Sequence, residues 1–79
     1  MTKFVLTMNM PSRKGNEVHQ VIAGHSAATL DEFAAEIDGR DFVVVEEFYY
    51  SSDDKSKLFS RGRTAVSCLH IGKIRMIEE

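Results

Sequence analysis

The sequence predicts an α+β fold in the order ββαβ(β)ββ, a small antiparallel or mixed sheet with one helix across one face. Three patterns predict it. Residues 3–10 alternate apolar and polar with period two. Residues 29–38 join a helix cap to apolar positions at helical spacing. Residues 41–50 are dominated by β-branched and aromatic side chains. A chain of 79 residues supports one domain, residues 1–79, of modest stability.

Phe4, Leu6, Met8 and Met10 form one face of the first stretch, with Lys3, Thr7 and Asn9 on the other, as a half-buried strand requires. Pro11 to Asn16 supply turn chemistry, since proline removes a donor and glycine and asparagine tolerate positive φ. A second strand follows over about 17–24, built on Val18, Val21 and Ile22, so the first two strands read as a hairpin.

Thr29-Leu30-Asp31-Glu32 spells a capping box. Thr29 accepts from the amide of Glu32, and Glu32 is expected to reach back to the amide of Thr29. Leu30, Phe33, Ala34 and Ile37 then define the apolar stripe of a helix over about 30–38, with Asp31 and Glu32 in the dipole-favoured first turn. Gly39 is the natural terminator.

Asp41–Tyr50 reads as a strand apolar on both faces, with Phe42, Val44 and Phe48 pointing one way and Val43, Val45 and Tyr49 the other. Ser51–Ser56 is a polar loop, after which Leu58-Phe59 resumes a strand or packs back as a short segment. Arg63–Cys68 and Lys73–Ile77 read as two final strands, joined through Leu69–Gly72 as a second hairpin. Thr64 to Ile74 resembles the strand, tight bend, strand pattern of small barrel proteins of bacteria and phages, although Ser67 stands where such proteins often carry asparagine. The resemblance covers less than one-fifth of the chain and carries no functional residue with it.

A helix of about nine residues covers only about 14 Å of sheet. The face opposite it is expected to carry Val5, Val43, Val45, Tyr49 and Ile77, an apolar area that needs a cover. Curling into a small barrel is one remedy. Self-association is the favoured one, since small domains commonly stabilise themselves that way.

Composition excludes several classes. Hydrophobic residues at 43% and charged residues at 28% match an ordinary soluble domain. One cysteine excludes a disulfide framework, and no apolar run is long enough to span a membrane. No signal peptide opens the chain, so a cytoplasmic location without membrane contact is the expectation.

The net charge of −2 conceals strong segregation. Residues 1–28 carry three cations against one acid; residues 29–54 carry nine acids against Arg40 alone. Residues 55–79 carry six cations against Glu78 and Glu79, with no acid between Lys55 and Ile77. Such blocks mark an interaction surface or pair within the fold.

The basic block supplies the ligand- or partner-binding candidates Lys57, Arg61, Arg63, His70, Lys73 and Arg75, to which the turn residues Arg13 and Lys14 add charge. Phe59 and His70 lie among them and offer rings for stacking. Asp31, Glu32 and Glu36 form an acidic candidate for docking on a basic protein, set against the plainer reading of a solvated helix face.

Catalytic and metal constellations are not indicated. Cys68 and His70 share a face if they lie in a strand, but two ligands do not make a zinc site. The apolar neighbours of Cys68 suggest burial, which raises a thiol pKa instead of activating it. Glu46 and Glu47 point to opposite faces of a strand and cannot act as a carboxylate pair; the inward one is expected to find Arg63, Lys73 or Arg75.

The expected function is therefore a small non-catalytic binding protein, without cofactor, metal or catalytic residue, that self-associates as a homo-oligomer. It resembles in size a phage or mobile-element accessory protein or inhibitor. Such a protein would block a partner surface or sequester a small anionic, nucleotide-like ligand. Direct DNA or RNA binding through residues 55–75 is the alternative, opposed by the sequence pI near 5.9 unless the two signs of charge lie on different faces.

Overall fold

The computed structural model describes residues 1–78; Glu79, counted in the last charge block, lies outside the described residues. The elements are β1 (Thr2–Ser12), β2 (Gly15–His25), α1 (Leu30–Ile37), β3 (Phe42–Tyr50), β4 (Leu58–Ser67) and β5 (Ile71–Met76), with a single 3-10 turn over Cys68–His70 before β5. They form one five-stranded antiparallel sheet, in the order β4-β3-β2-β1-β5, with one helix. The sheet is antiparallel throughout, not mixed.

The first hairpin is longer than its apolar content suggests. β1 and β2 pair from Thr2 with His25 to Ser12 with Gly15, leaving only Arg13 and Lys14 as the turn. Gly15 stands at φ 113°, open to glycine at little cost. The Ser12 hydroxyl donates to the Gly15 carbonyl and accepts from the Lys14 amide, which replaces the bonds a tight turn leaves unmade.

The capping box departs from expectation in one bond. The Glu32 amide donates to Thr29 Oγ1 at 3.1 Å, but the Glu32 carboxylate accepts from the amide of Ala28, not of Thr29. The helix ends after Ile37, and Gly39 adopts the left-handed φ of 74° while the Arg40 amide donates to the Ile37 carbonyl. Phe33 is the anchor. Fully buried, it stacks on Phe4 at 4.5 Å between ring centroids and meets the edge of His25 at 5.0 Å.

The second half differs more. Leu58–Ser67 is one continuous strand, and its hairpin partner is β3, not β5. The expected hairpin through Leu69–Gly72 does not form, because Cys68–His70 carries the chain around a corner and β5 pairs with β1. This corner dictates the shape of the whole sheet. Laid flat, β4 and β5 would be about 19 Å apart, at four spacings of ~4.8 Å. Three residues in a 3-10 turn advance only about 6 Å. The sheet must therefore curl, and it does so around one core of Phe4, Leu6, Met8, Ala23, Phe33, Val43, Val45 and Val66.

Curling also corrects the expected assignment of faces. Phe4 pairs with Ala23, and Ala23 with Glu47, so the even residues of β1 share a face with the odd residues of β3. Val43 and Val45 thus lie inside with the helix, and Val5 lies outside with Phe42, Val44 and Phe48. Of the residues expected on the face that needs a cover, Val43 and Val45 are therefore closed by this chain's own core, whereas Val5 lies on the outer face and Tyr49 remains exposed.

β2 and β3 pair only over Ile22–Gly24 with Glu46–Phe48. Beyond those residues the β1–β2 and β3–β4 ribbons part. An extra residue in β4 at Arg61, beside Gly62 at φ 93°, adds a bulge that bends the second ribbon. No helix of the described residues is long and apolar enough to cross a membrane.

Candidate functional site

Two surfaces result from this geometry: the outer face of the sheet and a groove on its inner side. The outer face is read from the register. One row crosses the sheet as Arg63, Glu46, Gly24 and Lys3; the next runs Ser60, Phe48, Ile22, Val5 and Arg75. Lys73 stands beyond Arg75, opposite Thr7, and Tyr50 stands beyond Phe48 on β3. Phe42 and Val44 complete the β3 row, above the small side chains of Ser67 and Ala65.

The rings of this face differ in exposure: Phe42 and Tyr50 are open to water, while Phe48 is half-buried. Phe42 is 60% exposed, and Val44 and Tyr50 are each 48% exposed. Lys3 holds its ammonium 5.2 Å from the Phe48 ring centroid. A side chain at Gly24 would run into Met1 and Phe48, so the glycine makes room for the ring to lie against the sheet. Arg63, Lys73, Arg75 and Lys3 thus surround or interleave a row of large apolar side chains, with Glu46 as the one acid among them.

The structure brings together only part of the expected basic site. Arg63, Lys73 and Arg75 share the outer face, while Arg61 turns to the other side and lies 4.6 Å over the Tyr49 ring, which in turn meets Phe59 at 6.0 Å. Arg13 and Lys14 occupy the tip of the first hairpin, away from β4. Lys57 closes the β3–β4 loop through its backbone, donating to the Asp54 carbonyl and accepting from the Ser51 amide. His70 belongs to the corner, where its Nδ1 lies 2.8 Å from the Ser67 hydroxyl.

Sequence reasoning missed Lys3, Phe42, Phe48 and Tyr50 as site residues. The two-sided apolar pattern of β3 was the available signal. A strand apolar on both faces is usually covered on both, whereas here Val43 and Val45 are covered and Phe42, Val44 and Tyr50 on the other side are exposed.

Of the acidic candidates, two have local tasks. Glu32 caps the helix, and Glu36 pairs with Arg40 at 3.2 Å. Asp31 has no ion pair among the described residues. All three belong to α1, which packs on the inner side of the sheet through Phe33, so the acids and the outer-face cations lie on different sides.

The groove lies between the parted ribbons. Met8, Met10, His19 and Val21 line it from β1–β2, and Glu47 and the Thr64–Ser67 stretch line it from β3–β4, around a space of about 180 Å³. Glu47 is the inward acid of the Glu46–Glu47 pair. It meets neither Arg63, Lys73 nor Arg75, which are all on the outer face, and it has no ion pair among the described residues.

The corner residues do not form the strand-borne pair that a metal start would need, since both Cys68 and His70 lie in the 3-10 turn. No three metal-ligating side chains converge among the described residues. Burial pushes the Cys68 thiol up, with Arg40 acting against that shift and Asp41 adding to it. The Ser67–His70 contact has no carboxylate behind the imidazole among the described residues, so it is a local bond of the turn. A comparison with family models, with curated proteins and with solved structures finds no match for this chain.

Proposed function

We propose that this is a binding protein acting by occupancy, with the outer face of the sheet as its contact surface and single-stranded nucleic acid as its ligand. One observation carries the reading: Phe42, Phe48 and Tyr50 stand on one face of one strand, among Lys3, Arg63, Lys73 and Arg75. Aromatic rings on an open sheet stack bases whatever their sequence, and cations nearby track the phosphates. Phe48 and Tyr50 are two residues apart, about 6.8 Å along a strand, a spacing that a splayed single strand can follow.

The overall negative charge does not oppose this reading. Asp31, Glu32 and Glu36 lie on α1, on the other side of the sheet, and among the described residues the strands of the outer face carry Lys3, Arg63, Lys73 and Arg75 against Glu46. Self-association through the same face would set those four cations against their own copies, an arrangement that like charges disfavour. An accessory or inhibitory role, covering exposed bases or holding a nucleotide, follows from occupancy without turnover.

A second reading rests on Val44 and Met1, which are exposed beside the rings and do not stack bases. They suit a partner protein whose acidic, apolar surface is blocked by this face.

The test is fluorescence anisotropy with a labelled oligothymidylate across a salt series. Affinity should fall steeply with salt, and Arg63→Ala with Arg75→Ala should lower both the affinity and the slope. Phe48→Ala and Tyr50→Ala should each weaken binding by about 1–3 kcal/mol with little change in slope. No binding at low salt, or loss of binding that is the same for every surface cation removed, would sink the nucleic-acid reading.

A further inference from the structure

β4 ends the sheet, so among the described residues no strand pairs with its far side. The amide of Cys68 donates to the carbonyl of Asp41 at 2.9 Å, which fixes the alternation of the β3–β4 ladder. Counting back from that bond, Val66 and Thr64 exchange bonds with β3, while Ser67 and Ala65 turn their amides away from it. Those same two residues line the groove that holds Met8, Met10, Val21 and Glu47.

Edge strands are normally blunted by charge, bulge or proline. In β4 all such devices fall on one stretch: Arg61, the bulge with Gly62, and Arg63. Thr64-Ala65-Val66-Ser67 has none of them. The protected part and the bare part of the edge are therefore adjacent, and the bare part opens onto an apolar groove.

We infer that Thr64–Ser67 binds an extended segment of a partner protein by strand addition, with an apolar side chain entering the methionine-lined groove and an acidic one beside Arg63. Main-chain bonds supply the affinity in this mode, and pockets for alternate side chains supply the selectivity. Residues of the added strand opposite Thr64 and Val66 share their inner face and reach Met8, Met10 and Val21. Residues opposite Arg63 and Ala65 share the outer face, where a carboxylate meets the guanidinium. A second copy of this chain is a poor occupant, because its own free edges carry Arg61 and Arg63 on β4 or Lys73 and Arg75 on β5. This site shares Arg63 with the outer face but none of its rings, and it does not depend on their role.

Ser67 offers a clean test. Its φ is −70°, which proline adopts without strain, and its amide makes no bond to β3. Ser67→Pro should fold and remove one outward donor, while Ser67→Ala controls for the lost hydroxyl bond to His70. The probe is a fluorescein-labelled peptide of alternating glutamate and leucine, titrated with wild type and both variants. Binding with amide shifts confined to Thr64–Ser67 and the groove, weakened roughly tenfold or more in Ser67→Pro and about twofold or less in Ser67→Ala, is the expected result. A peptide that fails to bind, or binds Ser67→Pro as well as wild type, overturns the inference. So does protection of the Ala65 and Ser67 amides in the free protein together with a dimeric mass, since a second copy would then hold the edge.

Discussion

The two rows of side chains on β3 are alike in composition and opposite in fate. Val43 and Val45 are buried against Phe4, Leu6 and Phe33, while Phe42 and Val44, their immediate neighbours, have about half or more of their surface in water. Hydrophobicity does not separate them; the pairing of Ala23 with Glu47 does, because it decides which parity of β3 faces the helix. The inner row therefore contributes to folding, and Phe42, Val44 and Tyr50 of the outer row are left open to water.

The largest effect expected from this difference is at Phe33, which closes the inner row. Phe33→Ala should cost about 3–5 kcal/mol, a large share of the total stability of a domain this small. Urea unfolding of Phe42→Ala, by contrast, should shift stability by no more than about 0.5 kcal/mol, as for other exposed positions. Similar losses at the two sites would mean that the outer row is covered after all, and the proposed contact face would go with it. Comparing the two variants also separates binding from folding, since Phe42→Ala should lose oligothymidylate affinity while keeping its unfolding midpoint.

A middle-sized effect tests how the inner row receives its cover. The helix that delivers Phe33 begins at Thr29, whose hydroxyl accepts from the Glu32 amide. Thr29→Ala should cost about 1 kcal/mol by thermal or urea unfolding. Because Glu32 bonds to the Ala28 amide, Glu32→Gln should lose less, as the amide oxygen can still accept there.

Local signals in the sequence were strong enough to place the helix, its cap and both ends of the first hairpin within about two residues. The strand character of 41–50 was legible for the same reason, since β-branched and aromatic residues declare it without reference to the rest of the chain. The pairing of distant strands was not. Nothing within Arg63–Ile77 states that β4 pairs with β3 and β5 with β1; that follows from a 3-10 turn at Cys68–His70, three residues with no distinctive turn chemistry of their own. The face assignment then failed as a consequence, because parity is fixed by which strands are neighbours. The basic candidates scattered for a similar reason: Arg61 and Arg63 would share a face in a regular strand, and the bulge turns Arg61 toward Tyr49 instead.

The smallest effect concerns the acidic helix, and it decides whether the contrast between the two sides of the molecule is one of charge as well as of packing. Glu36 in the last turn of α1 pairs with Arg40, which lies beyond the helix end, and both side chains are well exposed. An exposed pair of this kind contributes about 0.2–1 kcal/mol. A double-mutant cycle with Glu36→Gln and Arg40→Ala should return a coupling of that size, reduced by salt. Neither variant should change oligothymidylate binding by more than about twofold, since the helix lies on the far side of the sheet from Arg63, Lys73 and Arg75. A large gain in affinity from Glu36→Gln would show that the acids reach the outer face through space, and that the sheet does not separate the two signs of charge. If instead the coupling is present and binding is unmoved, Glu36 belongs to the helix itself, and the charge that matters for a ligand is on the outer face.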